Sequence, residues 1–502
     1  MSPRSPFAVG LFGLIAALAL TAGAATTHYV DVNSTNPVSP FLDWSTAATN
    51  IQQAVNVAFF GDSVLVADGI YHASPGASST VSVNHDNVQI HSVNGPGSTI
   101  IEGSSTGPLP FARGVELLSR CVLDGFTVRN GGLTNEPSGI RISYFGTVVT
   151  NCIISDNKGG GVYMPVRPLG QTPASFLNCV ITNNAGPGVS AALSSACKLT
   201  DCVIANNLGC GAAFSSLYRC LVIGNYITNF YGAGLSECYA ENSLIISNRA
   251  AGTAFGAAVG GMTAGSSQLV NCTIAHNSTA NGGPCVAGQP SMTSCIVWEN
   301  GANDYVDAFG RCNCFQKGYG GFTNDPMFID PQNGDFRLQS NSPYINAGFN
   351  RAVSNSLDYV GNTRIAGGTV DVGAYEYQTP TSLLSYIWAQ TYGLPTDGTA
   401  DFVDSDGDGM NNFLEFRAGT SPTNALSFLA MQAPTSTNWQ QAVKLTWQST
   451  SGTFYSIERS GSAASGSFGI LRSNISGLPG FTTYTDTNVS SGGPYFYRVG
   501  VQ

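Results

Sequence analysis

The chain has 502 residues, of which only 10% are charged and 60 are glycine, and its formal net charge is −10. This acidic balance argues against nucleic-acid binding, because proteins that bind phosphate backbones need clustered Lys and Arg to displace counterions. The length is sufficient for two to four domains with large buried cores.

The first 25 residues predict a secretory signal peptide. They contain Arg4, an apolar run from Ala8 to Leu20, and the small residues Ala22 and Ala24, which form an A-x-A cleavage site. The apolar run is too short and too rich in Ala and Gly to predict a membrane span, and no later segment approaches 18 apolar residues. We therefore expect an exported protein, secreted or at the cell surface, with no membrane span after signal cleavage.

A short motif of one cysteine, aliphatic residues and an asparagine recurs along the middle of the chain. Three copies read NCIISDN, NCVITNN and DCVIANN, and they begin at Asn151, Asn178 and Asp201. The cysteine and the residue two further on are small or aliphatic, which is the period of a β-strand. Short strands that recur every 20–30 residues predict a solenoid in which each coil buries one face on its neighbours.

Eight copies align on the cysteine position, which holds Gly125 in the first copy and Ser243 in the sixth. Each copy has an asparagine five residues later: Asn130, Asn157, Asn184, Asn207, Asn225, Asn248, Asn277 and Asn300. Coils stack about 4.8 Å apart, so we expect these asparagines to form a hydrogen-bonded ladder at a bend. We expect the cysteines to form an inward column of small side chains, and the alternative is that some form disulfides between coils.

The repeated run NCIISDN to NCTIAHN resembles the repeats of right-handed parallel β-helix proteins of the pectate-lyase-like superfamily. Trp44 to Tyr71 is similar to the cap and first coil of such proteins, with an amphipathic helix around Ile51 to Ala58. Asp325 to Gly348 and Val370 to Gln378 look like their closing segment. The resemblance covers roughly residues 28 to 378 and implies fold rather than activity, because this fold carries lyases, hydrolases, esterases, epimerases and adhesins.

The segment DSDGDGMNNFLE, Asp404 to Glu415, fits the calcium-loop pattern D-x-[DN]-x-[DN]-G-x5-E at every specified place. Calcium prefers a shell of carboxylate and carbonyl oxygens, and this spacing delivers them to one point. The predicted Ca2+ ligands are Asp404, Asp406, Asp408, the carbonyl of Met410, Asn412 and Glu415. The loop resembles dockerin-type and thrombospondin type 3-like loops, but a dockerin carries two loops and Asp397 to Asp401 is not a second one.

From about Ala425 the pattern is again that of β-strands, and with Trp447 and the final strand Tyr495 to Val499 it resembles a fibronectin type III-like sandwich. Before the calcium loop, Leu383 to Tyr392 predicts a short helix. We therefore expect an all-β chain with four parts. They are a signal peptide (1–25), a right-handed parallel β-helix with a capping helix (26–378), a linker with an EF-hand-like calcium loop (379–424) and a small β-sandwich (425–502).

The sequence identifies no catalytic residue. Asp156 and His276 precede ladder asparagines several coils apart, so they cannot share one bond-breaking step, and His72 and Lys158 are expected to be solvated turn residues. Exposed aromatic rings stack on the apolar face of pyranose sugars. The candidate carbohydrate-binding residues are Tyr226, Phe230, Tyr231 and Trp298, and the alternative is that these rings cover neighbouring loops.

Two classes of function follow. The first is binding of an extracellular polysaccharide or cell-surface glycan, or surface adhesion, without catalysis. The second is a polysaccharide-degrading enzyme, either a pectate-lyase-like lyase or a glycoside hydrolase. A lyase needs a base and a cation near the acid group of the sugar, so three or more carboxylates with one Lys or Arg in an outer groove would favour it. We expect a monomer.

Overall fold

A solenoid of three parallel β-sheets occupies the chain from Thr27 to Gly318 in the computed structural model. The structure describes residues 25–502 with internal exceptions at 105–111, 133–138, 166–171, 193–196, 229–231, 252–255, 261–266, 281, 302–304, 307, 319–320, 438–441 and 490–492. The predicted signal peptide therefore lies almost wholly outside the described residues. Among the described residues, no helix has the length and apolar character that crossing a membrane requires.

The described strands form three stacks, which we call sheets A, B and C. Sheet A contains Thr27–Val30, Ser63–Val66, Val88–Ser92, Cys121–Asp124, Val148–Thr150, Ala174–Leu177, Cys197–Thr200, Ser215–Tyr218, Tyr239–Glu241, Gln268–Val270, Ser291–Thr293 and Phe309–Arg311. Sheet B contains Gly69–His72, Thr99–Glu102, Thr127–Arg129, Ile153–Ser155, Val180–Thr182, Val203–Ala205, Leu221–Ile223, Leu244–Ile246, Thr273–Ala275, Ile296–Trp298 and Cys314–Phe315. Sheet C contains Ser79–Val83, Arg113–Leu117, Ile140–Ile142, Val162–Met164, Val189–Ala191, Ala212–Ala213, Leu235–Ser236 and Val259–Gly260.

Smaller elements complete the solenoid. A side sheet joins Tyr226–Ile227, Arg249–Ala250 and Ser278–Thr279, and Tyr305–Val306 pairs with Lys317–Gly318. At the N-terminal end, a 3₁₀ turn at Trp44–Thr46 precedes the helix Ile51–Val55, shorter than predicted. This helix starts at Asn50, whose side chain accepts a hydrogen bond from the backbone N–H of Gln53, and it buries its apolar face on the first strands.

Each central strand of sheet B lies between two sharp bends made by single residues in the left-handed region. The non-glycine bend residues have φ between 49° and 57°, as at Asn151 (50°) and Asp156 (56°). Asn and Asp tolerate this conformation better than other non-glycine residues. This preference accounts for the Asn or Asp that stands at the first and sixth positions of NCIISDN.

The predicted asparagine ladder is confirmed over seven coils, from Asn157 to Asn300. Each side-chain Nδ2 donates to the Oδ1 of the next asparagine at 2.8–3.0 Å. The same Oδ1 accepts the backbone N–H of the asparagine in the preceding coil. Buried backbone groups at the bend are thereby satisfied without water.

Both hydrogen bonding and small size explain the preference for cysteine in the inward column. The buried thiols of the column donate to the carbonyl two residues earlier, at S···O distances of 3.1–3.4 Å. Ser243 makes the same bond with its Oγ, to the carbonyl of Glu241 at 2.9 Å. The position therefore favours a small side chain with a hydrogen-bond donor. All thirteen cysteines are free thiols, in agreement with the reduced column.

The alignment of the first copy is wrong by one residue. Ile153 pairs with Thr127, so Phe126, not Gly125, stacks on Cys152. Gly125 instead takes the left-handed bend, with φ of 82°. Asn130 likewise lies at a bend, and the backbone N–H of Gly131 replaces it at the end of the ladder by donating to Asn157 Oδ1 at 3.0 Å. The bulkier Phe126 fills the cysteine position in this coil and is fully buried.

The closing segment folds back over the outer face of sheet B in the C-terminal coils. Its hairpin, Phe328–Asp330 with Asp335–Leu338, is antiparallel and is joined by a 3₁₀ turn at Pro331–Asn333, and a second 3₁₀ turn lies at Asn350–Ala352. Apolar side chains of the segment pack on Leu244, Ile246, Ala275 and Ile296 of sheet B. The backbone N–H of Ala374 also donates to Thr273 Oγ1 at 3.0 Å.

A buried charged cluster holds the closing segment together. Arg364 donates to the carbonyls of Asp371 and Gly373, and the carboxylates of Asp371 and Glu376 accept backbone N–H groups. Burial raises the pKa of Asp371 to about 7 and the pKa of Glu376 to about 8. Three buried carboxylates (with Asp358) share one guanidinium, so the fully ionised cluster carries excess negative charge.

Two short helices and two small sheets follow. The helices are Tyr386–Thr391, within the predicted Leu383 to Tyr392, and Asn412–Ala418. One antiparallel sheet orders Thr435–Thr437, Ala442–Ser449 and Gly480–Asp486, and the other orders Gly469–Ser476, Phe454–Ser460 and Phe496–Val501, with a 3₁₀ turn at Ser465–Ser467. Trp447 and Tyr455 lie in the core of this terminal unit. Its likeness to fibronectin type III stays a prediction.

Candidate functional site

A polar cleft of about 550 Å³ opens beside sheet B in the first coils. Its described lining includes His72, Glu102, Asn130 and Lys158, which lie at or just after the ends of four successive strands of sheet B. Strand pairing places His72 beside Glu102, and Glu102 beside Arg129. The solenoid thus brings together side chains that are 27 to 30 positions apart in sequence.

Glu102 is the centre of the polar contacts in this cleft. Its Oε1 accepts from Asn130 Nδ2 at 2.6 Å and from Arg129 Nε at 3.1 Å, and its Oε2 lies 3.2 Å from His72 Nδ1. The Glu102 side chain is only 16% exposed, whereas the His72 side chain is 65% exposed. Glu102 therefore orients its neighbours, and His72 is the member of the group that solvent or a ligand can reach.

The charge in the cleft differs from that of the whole chain. Lys158 lines the cleft, and Arg129 lies beside it, paired with Glu102, the single carboxylate of the described lining. The chain as a whole has a formal net charge of −10. Hydroxyl and acidic groups of a ligand would find donors here, and charge-assisted hydrogen bonds to them are stronger than neutral ones.

Sequence reasoning missed this cleft. It assigned His72 and Lys158 to solvated turns and did not consider Glu102 or Arg129. The first two coils carry no cysteine or ladder asparagine, so the repeat gave no register for them. The available signal was the spacing of His72, Glu102 and Arg129, at 30 and 27 residues, which is the spacing of stacked positions.

Asp156 and His276 lie apart, as predicted. His276 is 3.0 Å from Glu299 Oε2, and its ring packs near Phe336 of the closing segment. Asp156 has φ of 56° and lies at a bend five coils away in the stack. These two residues therefore belong to different surroundings.

The predicted aromatic residues do not form one described cluster. Tyr226 lines an apolar pocket of about 420 Å³ with Leu208 and Phe214. Trp298 is partly buried and packs against the closing segment, which favours the alternative that its ring covers a neighbouring segment. Phe230 and Tyr231 lie outside the described residues. A sugar contact stays a prediction for all four.

Three aspartates of the predicted calcium loop converge. Asp404, Asp406 and Asp408 each offer one carboxylate oxygen within 4.8 Å of the others. The two oxygens of Asp404 also accept from the backbone N–H groups of Gly407 and Gly409, at 2.8 and 3.0 Å. Gly409 has φ of 97°, which only glycine adopts readily, so the loop closes tightly around these carboxylates.

Orphaned oxygen atoms mark the interior of this loop. Four buried oxygens lack a protein hydrogen-bond partner among the described residues: Asp406 Oδ2, Asp408 Oδ2, Asn412 Oδ1 and Glu415 Oε2. Asn412 and Glu415 are fully buried. Burying an unpaired polar oxygen is costly, and three carboxylate oxygens with one carboxamide oxygen in one loop are the ligands that a hard, oxygen-seeking cation requires.

Electrostatics supports the same interpretation. Burial and the nearby Asp406 and Asp408 carboxylates raise the pKa of Glu415 to about 7. The residues present fit a divalent cation of the calcium type. Bound there, such an ion would neutralise the carboxylates, with Asp404, Asp406, Asp408, Asn412 and Glu415 as side-chain ligands. The carbonyl of Met410 stays a predicted ligand.

The predicted calcium loop and the helix that follows it contact the preceding helix on one side and the terminal unit on the other. On one side, Phe416 packs with Trp388 of the preceding helix, with ring centroids 5.6 Å apart. On the other side, the carbonyl of Gly419 accepts from Thr450 Oγ1 at 3.1 Å, and Met410 Sδ accepts from the Leu429 N–H at 3.3 Å. The loop and the helix that follows it therefore connect the helix Tyr386–Thr391 with the terminal unit.

Comparison with known proteins identifies the solenoid. Residues 169–318 match the family model described as the right handed beta helix region. With the parallel pairing of its sheets, this match makes residues 27–318 a right-handed parallel β-helix. Among curated protein sequences, none matches the chain.

Several solved structures are similar over most of their length. A pectate lyase is 13% identical, with 70% of this chain and 97% of that chain covered and a TM-score of 0.49. A rhamnogalacturonan lyase is 13% identical, with 61% and 91% covered and a TM-score of 0.37. A mannuronan C-5 epimerase module from Azotobacter vinelandii is 15% identical, with 59% and 94% covered and a TM-score of 0.30. Likenesses at these scores carry no information on activity.

Proposed function

We propose that this chain is exported and binds an extracellular polysaccharide in the cleft on its N-terminal coils. One observation carries the proposal: His72, Glu102, Asn130 and Lys158 converge on one open cleft of about 550 Å³. Clefts with a few convergent polar groups are the usual place for ligands in proteins. A polysaccharide is the ligand that fits best, because its hydroxyl groups pair with both donors and acceptors.

Lys158 in the cleft, with Arg129 beside it, favours a glycan with acidic groups over a neutral one. Arg129 is held by Glu102 at 3.1 Å and so stays in a defined position, whereas Lys158 lines the cleft with its flexible side chain. An acidic substituent would accept charge-assisted hydrogen bonds from either. The ionic contribution predicts weaker binding at high salt.

Binding by variants tests the proposal. Affinity electrophoresis of the full chain in gels with polygalacturonate or a neutral glucan compares Lys158→Met and Glu102→Gln with the matched surface variant Lys444→Met. We expect retardation by the acidic glycan to fall on the order of tenfold for Lys158→Met and to stay unchanged for Lys444→Met. Equal retardation of wild type and all three variants would contradict a role for the cleft.

A polysaccharide-degrading enzyme is the second candidate, and the pair of His72 and Glu102 favours it. A carboxylate 3.2 Å from Nδ1 fixes the orientation of the imidazole, which leaves Nε2 available as a general base. Against it, the described cleft holds one carboxylate where a calcium-assisted lyase would need several. Incubation with acidic polysaccharides, followed at 235 nm for unsaturated ends and by reducing-sugar assay, tests this candidate with His72→Ala as control.

We also propose that the loop Asp404 to Glu415 binds Ca2+ and stiffens the joint before the terminal unit. The four orphaned oxygens support this role. Isothermal titration of the chelator-treated full chain with Ca2+ should detect one site, absent in Asp406→Asn and retained in the nearby control Asp397→Asn. Retention of the site in Asp406→Asn would contradict it. Added Ca2+ should raise the unfolding temperature of wild type, because a ligand that binds only the folded state stabilises it.

A further inference from the structure

The outer face of sheet A carries an aromatic pair beside an exposed lysine, far from the cleft on sheet B. The rings of Tyr218 and Tyr239 lie 5.6 Å apart, centroid to centroid, at an angle of 45°. Lys198 Nζ lies 4.8 Å from the centroid of the Tyr218 ring. These three residues come from successive strands of sheet A, so they form a continuous patch along the solenoid.

The patch is rigid on one side. The hydroxyl of Tyr239 donates to Glu241 Oε2 at 2.9 Å. Glu241 is fully buried, and its Oε1 accepts from the backbone N–H groups of Ser354 and Asn355 at 2.9 and 3.1 Å. Ser354 and Asn355 therefore fix the carboxylate that holds the hydroxyl of Tyr239.

Two serines stand next to Lys198 and Tyr239 on the outer face of sheet A. Strand pairing places Ser175 beside Lys198, Lys198 beside Ser216, and Ser216 beside Tyr239 in one outward row. Ser175 and Ser216 are both partly exposed. Small hydroxyl side chains next to two aromatic rings leave room for a flat ligand and offer it hydrogen bonds.

We propose that Lys198, Tyr218 and Tyr239 form a second glycan-binding site, which takes a pyranose unit with an acidic substituent. The apolar C–H face of the sugar would lie on the tyrosine rings, and the carboxylate or sulfate would meet the ammonium of Lys198. A pre-oriented ring loses little conformational entropy on binding. The inference rests on the proposed function for the class of ligand, but it involves a different sheet and different residues.

Variants of the full chain separate the two sites. Tyr218→Ala and Lys198→Met change the patch, Lys158→Met changes the cleft, and Tyr144→Ala and Lys444→Met are controls at exposed positions outside both. Binding of polygalacturonate and a neutral glucan is measured by isothermal titration. Thermal unfolding of each variant checks that the chain remains folded.

We expect Tyr218→Ala to weaken binding of the acidic glycan on the order of tenfold, and Lys198→Met to weaken it severalfold without affecting the neutral glucan. Wild-type binding by both patch variants, with binding lost only in Lys158→Met, would overturn the second site and leave the proposed function intact. Wild-type binding by all of them would overturn both. A loss of thermal stability in Tyr218→Ala with unchanged affinity would assign the rings to packing and also overturn the second site.

Discussion

The outer face of sheet B has two halves that differ in what lies on them. In the first coils one outward column reads His72, Glu102 and Arg129, and Ile70 in the neighbouring column is 40% exposed. In the last coils the outward position of Ile296 is 1% exposed, because the closing segment covers it. The strands pair in parallel and in continuous register through both halves, although the first two coils lack the ladder asparagine.

The strand register therefore determines whether a side chain points inward or outward. Whether an outward side chain is polar or apolar depends on whether the closing segment packs over it. Inward columns are uniform along the solenoid because each coil meets the same kind of neighbour. Outward columns follow local surroundings: charged where solvent or a ligand has access, apolar where the chain folds back. A free, charged stretch of an otherwise covered face is therefore the place to look for function.

A charge placed at equivalent outward positions should show the largest contrast between the halves. Ala275 is fully buried under the closing segment, and Thr182 stands in the same column where the face is open. Ala275→Asp should lower the free energy of unfolding by about 3–4 kcal/mol, since it buries an unpaired carboxylate. Thr182→Asp should change it by less than about 0.5 kcal/mol. Urea titration followed by far-UV circular dichroism measures both, and similar costs would show that the closing segment does not shield the face.

Removal of a ladder asparagine should lower the free energy of unfolding somewhat less than Ala275→Asp does. The loss should be similar in both halves of the solenoid. Asn207→Ala removes the acceptor of both the backbone N–H and the side-chain Nδ2 of Asn184 in a buried site, so we expect a loss of about 2–3 kcal/mol. Asn130→Ala, at a bend beyond the ladder, is the control and should cost well under that in the same urea titration. An equal loss for the two would contradict the assignment of the ladder's end to Gly131.

A rise in pH should destabilise the closing segment on the last coils and leave the first coils unchanged. The pKa values of Asp371 and Glu376 are raised in the folded chain, so the folded state holds protons that the unfolded state releases. Stability from this cluster is therefore lost as the pH rises from about 4 to about 8. Hydrogen exchange, corrected for its intrinsic pH dependence, should show weaker protection of residues 344–377 at pH 8 than at pH 5, with no such change in residues 148–164. Uniform behaviour of both segments would remove the cluster as the cause.

Substitution of a cysteine in the inward column should change the free energy of unfolding least. Cys179→Ser should cost less than about 1 kcal/mol, because Ser243 already makes the same bond in a later coil, whereas Cys179→Ala loses the donor and should cost more. Thermal unfolding of the two variants checks the order. The reverse order would mean that size alone selects cysteine at this position.

The sequence predicted what depends on local pattern. The motif NCIISDN specifies a strand, its inward residues Cys152 and Ile154, and the ladder residue Asn157, and all three are confirmed. The calcium loop could be predicted because its twelve residues supply their own geometry. The aspartates do converge, although binding of Ca2+ stays a prediction.

The sequence could not predict what depends on contacts between distant segments. The cleft needed the register of the first coils, where Phe126 replaces cysteine and no ladder asparagine marks the bend. The burial of Trp298 needed the path of the closing segment, which no periodic pattern encodes. Strand register between coils and packing of the closing segment are tertiary properties, so a motif one coil long does not encode them.

Hydrogen exchange of the full chain with and without polygalacturonate tests most directly whether the cleft on the first coils binds an acidic glycan. The account predicts that the glycan protects residues 69–72, 99–102, 127–130 and 153–158, which surround the cleft, and leaves residues 273–275 and 296–298 under the closing segment unchanged. Protection confined to the terminal unit, residues 425–502, with none around the cleft, would contradict it.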